Sequence, residues 1–174
     1  DISYLNISLL TNLEYMFSDC IKLQKINLSY INTYYIESMR GMFNNCKALP
    51  NIDLSGLITD NVYDISYMFS NCNSLSSLNL TTFNTSNIIN MISIFEGCNG
   101  LKTLDLSNWD FTKVIHPIFI LQDLKYINTI IMKNVNLYNI LNISYIFSNL
   151  QTITSLDISY LNISLLTNLE YMFS

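Results

Sequence analysis

A period of 26 residues runs through this chain without a single insertion, and it restricts the fold more than any other feature. Units begin at Leu23, Leu49, Leu75, Leu101, Ile127 and Ile153, and the chain opens partway through an earlier unit. The first, fourth and sixth positions of each unit are apolar, as in Leu49, Ile52 and Leu54 or Leu75, Leu78 and Leu80. The twenty-first is Phe43, Phe69, Phe95, Leu121, Phe147 and Phe173. One such unit is too small to bury its own apolar face, whereas stacked neighbours make a continuous core.

Two local periods follow one another inside a unit. Leu78, Asn79 and Leu80 alternate, which is strand behaviour. Ile88, Met91, Ile94, Phe95 and Cys98 are then spaced three, three, one and three, which predicts one face of a helix or helical turn. The expected fold is an α/β solenoid of 26 residues per coil, with a parallel sheet on one side and short helical segments on the other. Neighbouring strands would lie about 4.8 Å apart.

A longer period is superimposed. Residues 1–18, DISYLNISLLTNLEYMFS, recur unchanged at 157–174, an offset of 156 or six units of 26. Units inside the block differ at most positions, so the short repeat alone does not produce this identity. The expectation is a six-unit block duplicated in tandem, with residues 1–174 forming a single array that has no capping unit at either end. Composition agrees: Leu and Ile each occur 25 times and Asn 24 times, against four Gly and two Pro, as though one kind of turn were used repeatedly.

Charge and hydropathy exclude several classes of function. Half of the residues are hydrophobic, which excludes a disordered chain. A formal charge of −5 argues against nucleic acid or an anionic membrane as partner. No run of 18 apolar residues is long enough for a membrane span, and no signal peptide is visible.

The run L-x-x-L-[DN]-L-S, followed by F-[ND]-T-S-x-[IV]-x-[ND]-M and [YI]-[MI]-F-x-x-C, resembles BspA-like leucine-rich-repeat surface proteins. Their 26-residue version is also known as a mycoplasma-type surface domain of unknown function. It appears here as LSSLNLTTFNTSNIINMISIFEGC and NVYDISYMFSNC. The resemblance extends over essentially the whole chain and fixes about ten positions per unit. It implies a leucine-rich-repeat solenoid, a secreted or cell-surface location, and adhesion or partner binding rather than catalysis. Departures lie between 101 and 152, where Leu124 and Leu150 take the Cys position, His116-Pro117 replaces a polar-Met pair and Ile130-Ile131-Met132 replaces L-D-L.

No catalytic, cofactor or metal site is expected. Cys20, Cys46, Cys72 and Cys98 recur at one position, which fits neither a CxxC metal pair nor a small disulfide framework, and they read as small buried hydrophobes. His116 is the sole histidine and has Ile115 and Pro117 beside it, so no oriented acid–base pair is assembled. The candidate binding face is the row Asn27, Asp53, Asn79, Asp105, Ile131 and Asp157, which Asp1 begins and in which Ile131 is the apolar interruption. That row could instead be a solvated ladder, and Ile131 either an interface spot or a local register adjustment. Tyr30, Tyr34, Tyr35, Tyr63, Tyr67, Tyr138, Tyr145 and Tyr160 are expected to be partly exposed. Sequons at Asn6, Asn27, Asn79, Asn84, Asn142 and Asn162 are no more frequent than chance allows in so Asn-rich a chain. Expected partners are a protein or glycan on another surface, or copies of the chain itself end to end.

Overall fold

The structure is a computed structural model, and it describes residues 5, 7–29, 31–117, 120–121, 124–138, 140–161 and 163–174. Asp1, Asn6, Tyr30 and Asn162 of the sequence reading lie outside these residues. Residues 26 apart in sequence lie side by side. Strands β1 (Thr103–Asp105), β2 (Thr129–Ile131) and β3 (Ser155–Asp157) form a parallel sheet in that order. Thr103 pairs with Thr129 and Thr129 with Ser155. On the opposite side, single bridges join Asn12 to Ser38, Ser38 to Asp64 and Asp64 to Asn90, and again Asn142 to Asn168. We call one passage of the chain around the molecule a rung.

The helical expectation fails. Among the described residues there is no α-helix; residues 14–19, 40–45, 66–71, 92–97 and 144–149 each form a run of turns. Alternate amides do two different jobs there. The N–H groups of Gly41, Phe43 and Asn45 donate to Ser66 O, Met68 O and Ser70 O of the next rung, at 2.8, 2.9 and 2.8 Å. Those of Met42, Asn44 and Cys46 donate back to Met39 O, Gly41 O and Phe43 O, closing turns within the rung. The alternation needs left-handed backbone twice per rung: at Tyr15 and Asp19, Gly41 and Asn45, Tyr67 and Asn71, Ser93 and Gly97, and Tyr145 and Asn149. An α-helix has φ near −63° throughout, so these residues exclude one. A three-three-one-three spacing of apolar residues is shared by a helix and by successive turns, which is why periodicity alone misassigned the segment.

The core runs unbroken along the axis. Phe17, Phe43, Phe69 and Phe95 stack with ring centroids 5.5, 5.9 and 6.2 Å apart. Where Leu121 follows in this column, Trp109 lies against Phe95 at 6.4 Å and Phe111 against Trp109 at 6.2 Å, so the aromatic row turns sideways.

Candidate functional site

The polar row is built from one local device. Oδ1 of Asn27, Asp53, Asn79, Asp105 and Asp157 accepts the amide of the residue two positions on, at 3.0, 2.9, 3.0, 2.9 and 3.0 Å. Asx residues favour this turn because the short side chain reproduces a backbone acceptor. The hydroxyls of Ser55 and Thr81 donate to the same oxygens at 2.7 and 2.8 Å, and that of Ser159 donates to Asp157. The row is thus held by bonds within each rung. The Ser55 hydroxyl and amide hold the Asp53 carboxyl below its ordinary range. For Asp157, Ser159 and then Lys133 pull it down to about 2.

Ile131 sits in register between Asp105 and Asp157, so no register adjustment occurs there. It is half-buried in the central strand, and Lys133 Nζ reaches Asp157 Oδ2 at 3.2 Å. Asn27, Asp53, Asn79 and Asp105 are exposed, and Asp157 is half-buried.

Three features carried no isolated sequence signal. Thr33, Thr59 and Thr85 are buried and face the backbone of the next rung. Thr59 Oγ1 accepts the Asn84 amide at 2.8 Å and donates to Asn84 O at 3.1 Å. Thr33 treats Ile58 in the same way, at 2.7 and 2.9 Å. Second, Tyr63, Ile89, Ile115 and Leu141 make an exposed apolar row along one corner. The amides of Ile89 and Ile115 donate to Tyr63 O and Ile89 O, at 2.8 and 3.1 Å, which aligns that row with the axis. Third, Arg40 lies over the Tyr67 ring at 4.9 Å while its Nε donates to Tyr15 Oη at 3.1 Å and Nη1 meets Asp64 at 3.4 Å. Recurrence at 26-residue intervals was the available signal for the first two. Of the tyrosines expected at the surface, Tyr34, Tyr35, Tyr63, Tyr138, Tyr145 and Tyr160 are exposed, and Tyr67 is half-covered beneath Arg40.

The cysteines are free thiols, buried at positions 46, 72 and 98 and half-buried at 20. They are more than small hydrophobes. Sγ of Cys46, Cys72 and Cys98 donates to the carbonyls of Phe17, Phe43 and Phe69 in the preceding rung, at 3.2, 3.2 and 3.0 Å. Burial raises all three thiols, Cys46 to about 11 and Cys98 to about 12. A reactive cysteine needs the opposite shift. His116 is exposed. Among the described residues no cluster of His, Cys, Asp and Glu could hold a metal ion, and no helix is long and apolar enough to cross a membrane.

A parallel sheet, register pairs 26 residues apart and Leu-rich inward positions define a repeat protein of the leucine-rich-repeat type. The chain belongs to the family described as "Mycoplasma protein of unknown function, DUF285", whose model matches residues 1–78, 50–152 and 119–174. Among solved structures it is similar to the leucine-rich-repeat protein of T. pallidum, with a TM-score of 0.53 and 15% identity. That match covers 83% of this chain and 60% of the other, so this chain spans less than two thirds of that protein's length. At such identity the likeness concerns the fold. No curated protein matches the chain.

Proposed function

We propose that this protein is a non-enzymatic repeat array of the cell surface or extracellular space that holds a protein or glycan partner against its lateral faces. The observation supporting it is the exposed apolar row Tyr63, Ile89, Ile115 and Leu141, aligned with the axis. Aligned exposed apolar residues mark interfaces in soluble proteins. The polar row from Asn27 to Asp157, interrupted by Ile131, offers a second face of different chemistry, on which Asn27, Asp53, Asn79 and Asp105 each keep one carboxylate or amide atom beyond the Asx turn, while that of Asp157 meets Lys133. Family membership and the absence of a membrane-crossing helix among the described residues are compatible with a surface location. The test is binding of the immobilised chain to glycan and protein arrays, repeated with Ile115→Asp and with Asp105→Ala. Both positions are exposed, so the fold tolerates the changes. Loss of a partner with one variant assigns the face; partners indifferent to both would defeat the reading.

A second reading, a structural filament of arrays joined end to end, is favoured by the identity of residues 1–18 and 157–174. On that reading the 156-residue block is the tandem unit.

A further inference from the structure

In the middle of the array the turn side carries a hollow of about 290 Å³, lined by Asn71, Glu96, Gly97, Asn99, Lys125 and Tyr126. Described rungs lie on both sides of it. Two departures from the repeat make it. One column of the turn run reads Asp19, Asn45, Asn71 and then Gly97. Earlier in that column side chains meet, with Asn45 Nδ2 donating to Asp19 Oδ1 at 2.8 Å. At Gly97 no side chain follows: Asn71 Oδ1 lies 2.6 Å from where a Cβ would stand, and Asn71 Nδ2 donates to Ser70 Oγ instead, at 3.2 Å. The second departure is at the last position of the unit. It holds Ala48, Ser74 and Gly100 in the three preceding units and then Tyr126, whose side chain is large and 48% exposed. A side chain missing from one column leaves a floor, and a ring added to the other raises a wall beside it. Both are held in place. The Asn71 amide donates to Glu96 O at 2.6 Å and Asn73 Nδ2 to Gly97 O at 2.9 Å, while Lys102 Nζ donates to Tyr126 O at 3.2 Å and lies 5.7 Å from the ring centroid.

We propose that this hollow binds one neutral sugar ring, the terminal residue of a glycan. The inference goes beyond the lateral-face reading above, because the hollow shares no residue with either row. Its lining selects the ligand class. The side-chain amides of Asn71 and Asn99 both donate and accept, Glu96 accepts and Lys125 donates. Sugar hydroxyls also donate and accept, so they are matched by a mixed set of this kind. Glu96 repels an anion and Lys125 repels a cation, which leaves a neutral polar ligand as the best fit. Tyr126 adds an exposed aromatic surface with a polar tip, on which the C–H face of a pyranose can rest. The volume stands at the small end of ligand pockets, about 300–1,000 Å³, so the hollow takes a single ring and the rest of the glycan runs out into solvent. Because floor and wall are fixed by bonds within the protein, little ordering is needed on binding.

The test is a microarray of oligosaccharides ending in hexoses or N-acetylhexosamines, with sialylated and sulfated chains alongside, followed by calorimetric titration of those that bind. The 174-residue chain should bind neutral ends. Gly97→Asn refills the floor and should raise the dissociation constant at least about tenfold. It restores the residue type of the two preceding rungs, and Asn45 and Asn71 hold φ of 61° and 58° where Gly97 has 70°, so the backbone accepts it. Tyr126→Ser, which copies Ser74, removes the wall and should cause a similar loss. Circular dichroism checks that both variants fold. Neutral-sugar binding indifferent to both would overturn this site, and binding confined to sialylated or sulfated chains would overturn the neutral ligand. A chain that binds no glycan would overturn the proposal, while protein partners lost with Ile115→Asp or Asp105→Ala would leave the lateral-face reading standing. Sugars lost with Gly97→Asn, but no partner sensitive to either row, would support the hollow and defeat that reading.

Discussion

Residues 12–100 and residues 101–161 use the same repeat but close it differently. The first region is linked chiefly through its turns: backbone bonds join each turn run to the next, thiols donate to carbonyls across rungs and three threonines bridge to the following backbone. Its strand side forms no regular strand among the described residues, with links such as Ser74 N–H to Lys47 O and Ser76 N–H to Pro50 O. The second region holds the sheet. There Phe111 and Leu137 replace threonine, and direct backbone bonds, Phe111 N–H to Asn136 O and Asn136 N–H to Trp109 O, each 2.9 Å, take over the hydroxyls' work. Sequence explains part of the switch. The strand position occupied by Lys25, Asn51 and Ser77 becomes Thr103 and Thr129, and Ile131 follows, so β-branched residues enter at β1 and β2, whereas β3 has Ser155 at that position and pairs with β2. The lesson is that one apolar pattern sets the stacking, while the bonding between rungs can move from one side to the other.

The largest expected effect tests the aromatic column of the first region. Phe69 is fully buried between two stacked rings, so Phe69→Ala should cost about 3–5 kcal/mol in urea unfolding. Phe147→Ala, with an exposed Phe173 as neighbour, should cost less; equal losses would erase the contrast.

Next comes Thr59→Val. It keeps shape but strips the Asn84 amide and carbonyl of their partner, at about 1–3 kcal/mol. A neutral result, measured by the same unfolding midpoint, would mean the hydroxyls contribute no more than the apolar pattern does.

Alkali should separate the regions as well. A thiol ionises near pH 8.5 in an unfolded chain, but burial holds Cys46 at about 11 and Cys98 at about 12 in the fold. A raised folded value means that the contribution is whole below the unfolded value and is lost as pH climbs through that window. Stability should therefore fall between pH 8.5 and 11, and Cys46→Leu with Cys98→Leu should flatten the fall. An unchanged slope in the double variant would assign the loss to other groups.

The smallest effect belongs to the polar row: Asp53→Ala should leave the melting midpoint unchanged within error, because Asp53 is exposed and caps only its own turn.

Much of this was legible in the sequence. Register, the inward Leu and Phe columns and the outward polar row follow from counting in steps of 26, and the structure places Asp105, Ile131 and Asp157 side by side as counted. The turn side was misjudged because the count of apolar residues hid the backbone. The signal lay in the residue before each cysteine, Asp19, Asn45, Asn71 and Gly97, types that tolerate left-handed φ. Tyr15 and Tyr67 share that conformation without the tolerance, so no local rule would have found them. The buried threonines were hidden for a different reason: a hydroxyl facing inward is indistinguishable in sequence from one facing water until its acceptor, 25 residues away, is known.

The bonds between rungs lie along the axis, and this has a mechanical consequence. Tension applied at the two ends of such an array loads successive rungs in series, and each rung resists only through the bonds to its neighbour. Once those part, 26 residues of chain are freed together, about 80–90 Å of extensible length. Under load the molecule would lengthen in equal steps rather than break at one point, and its first step would come from the rung with the fewest links to the next.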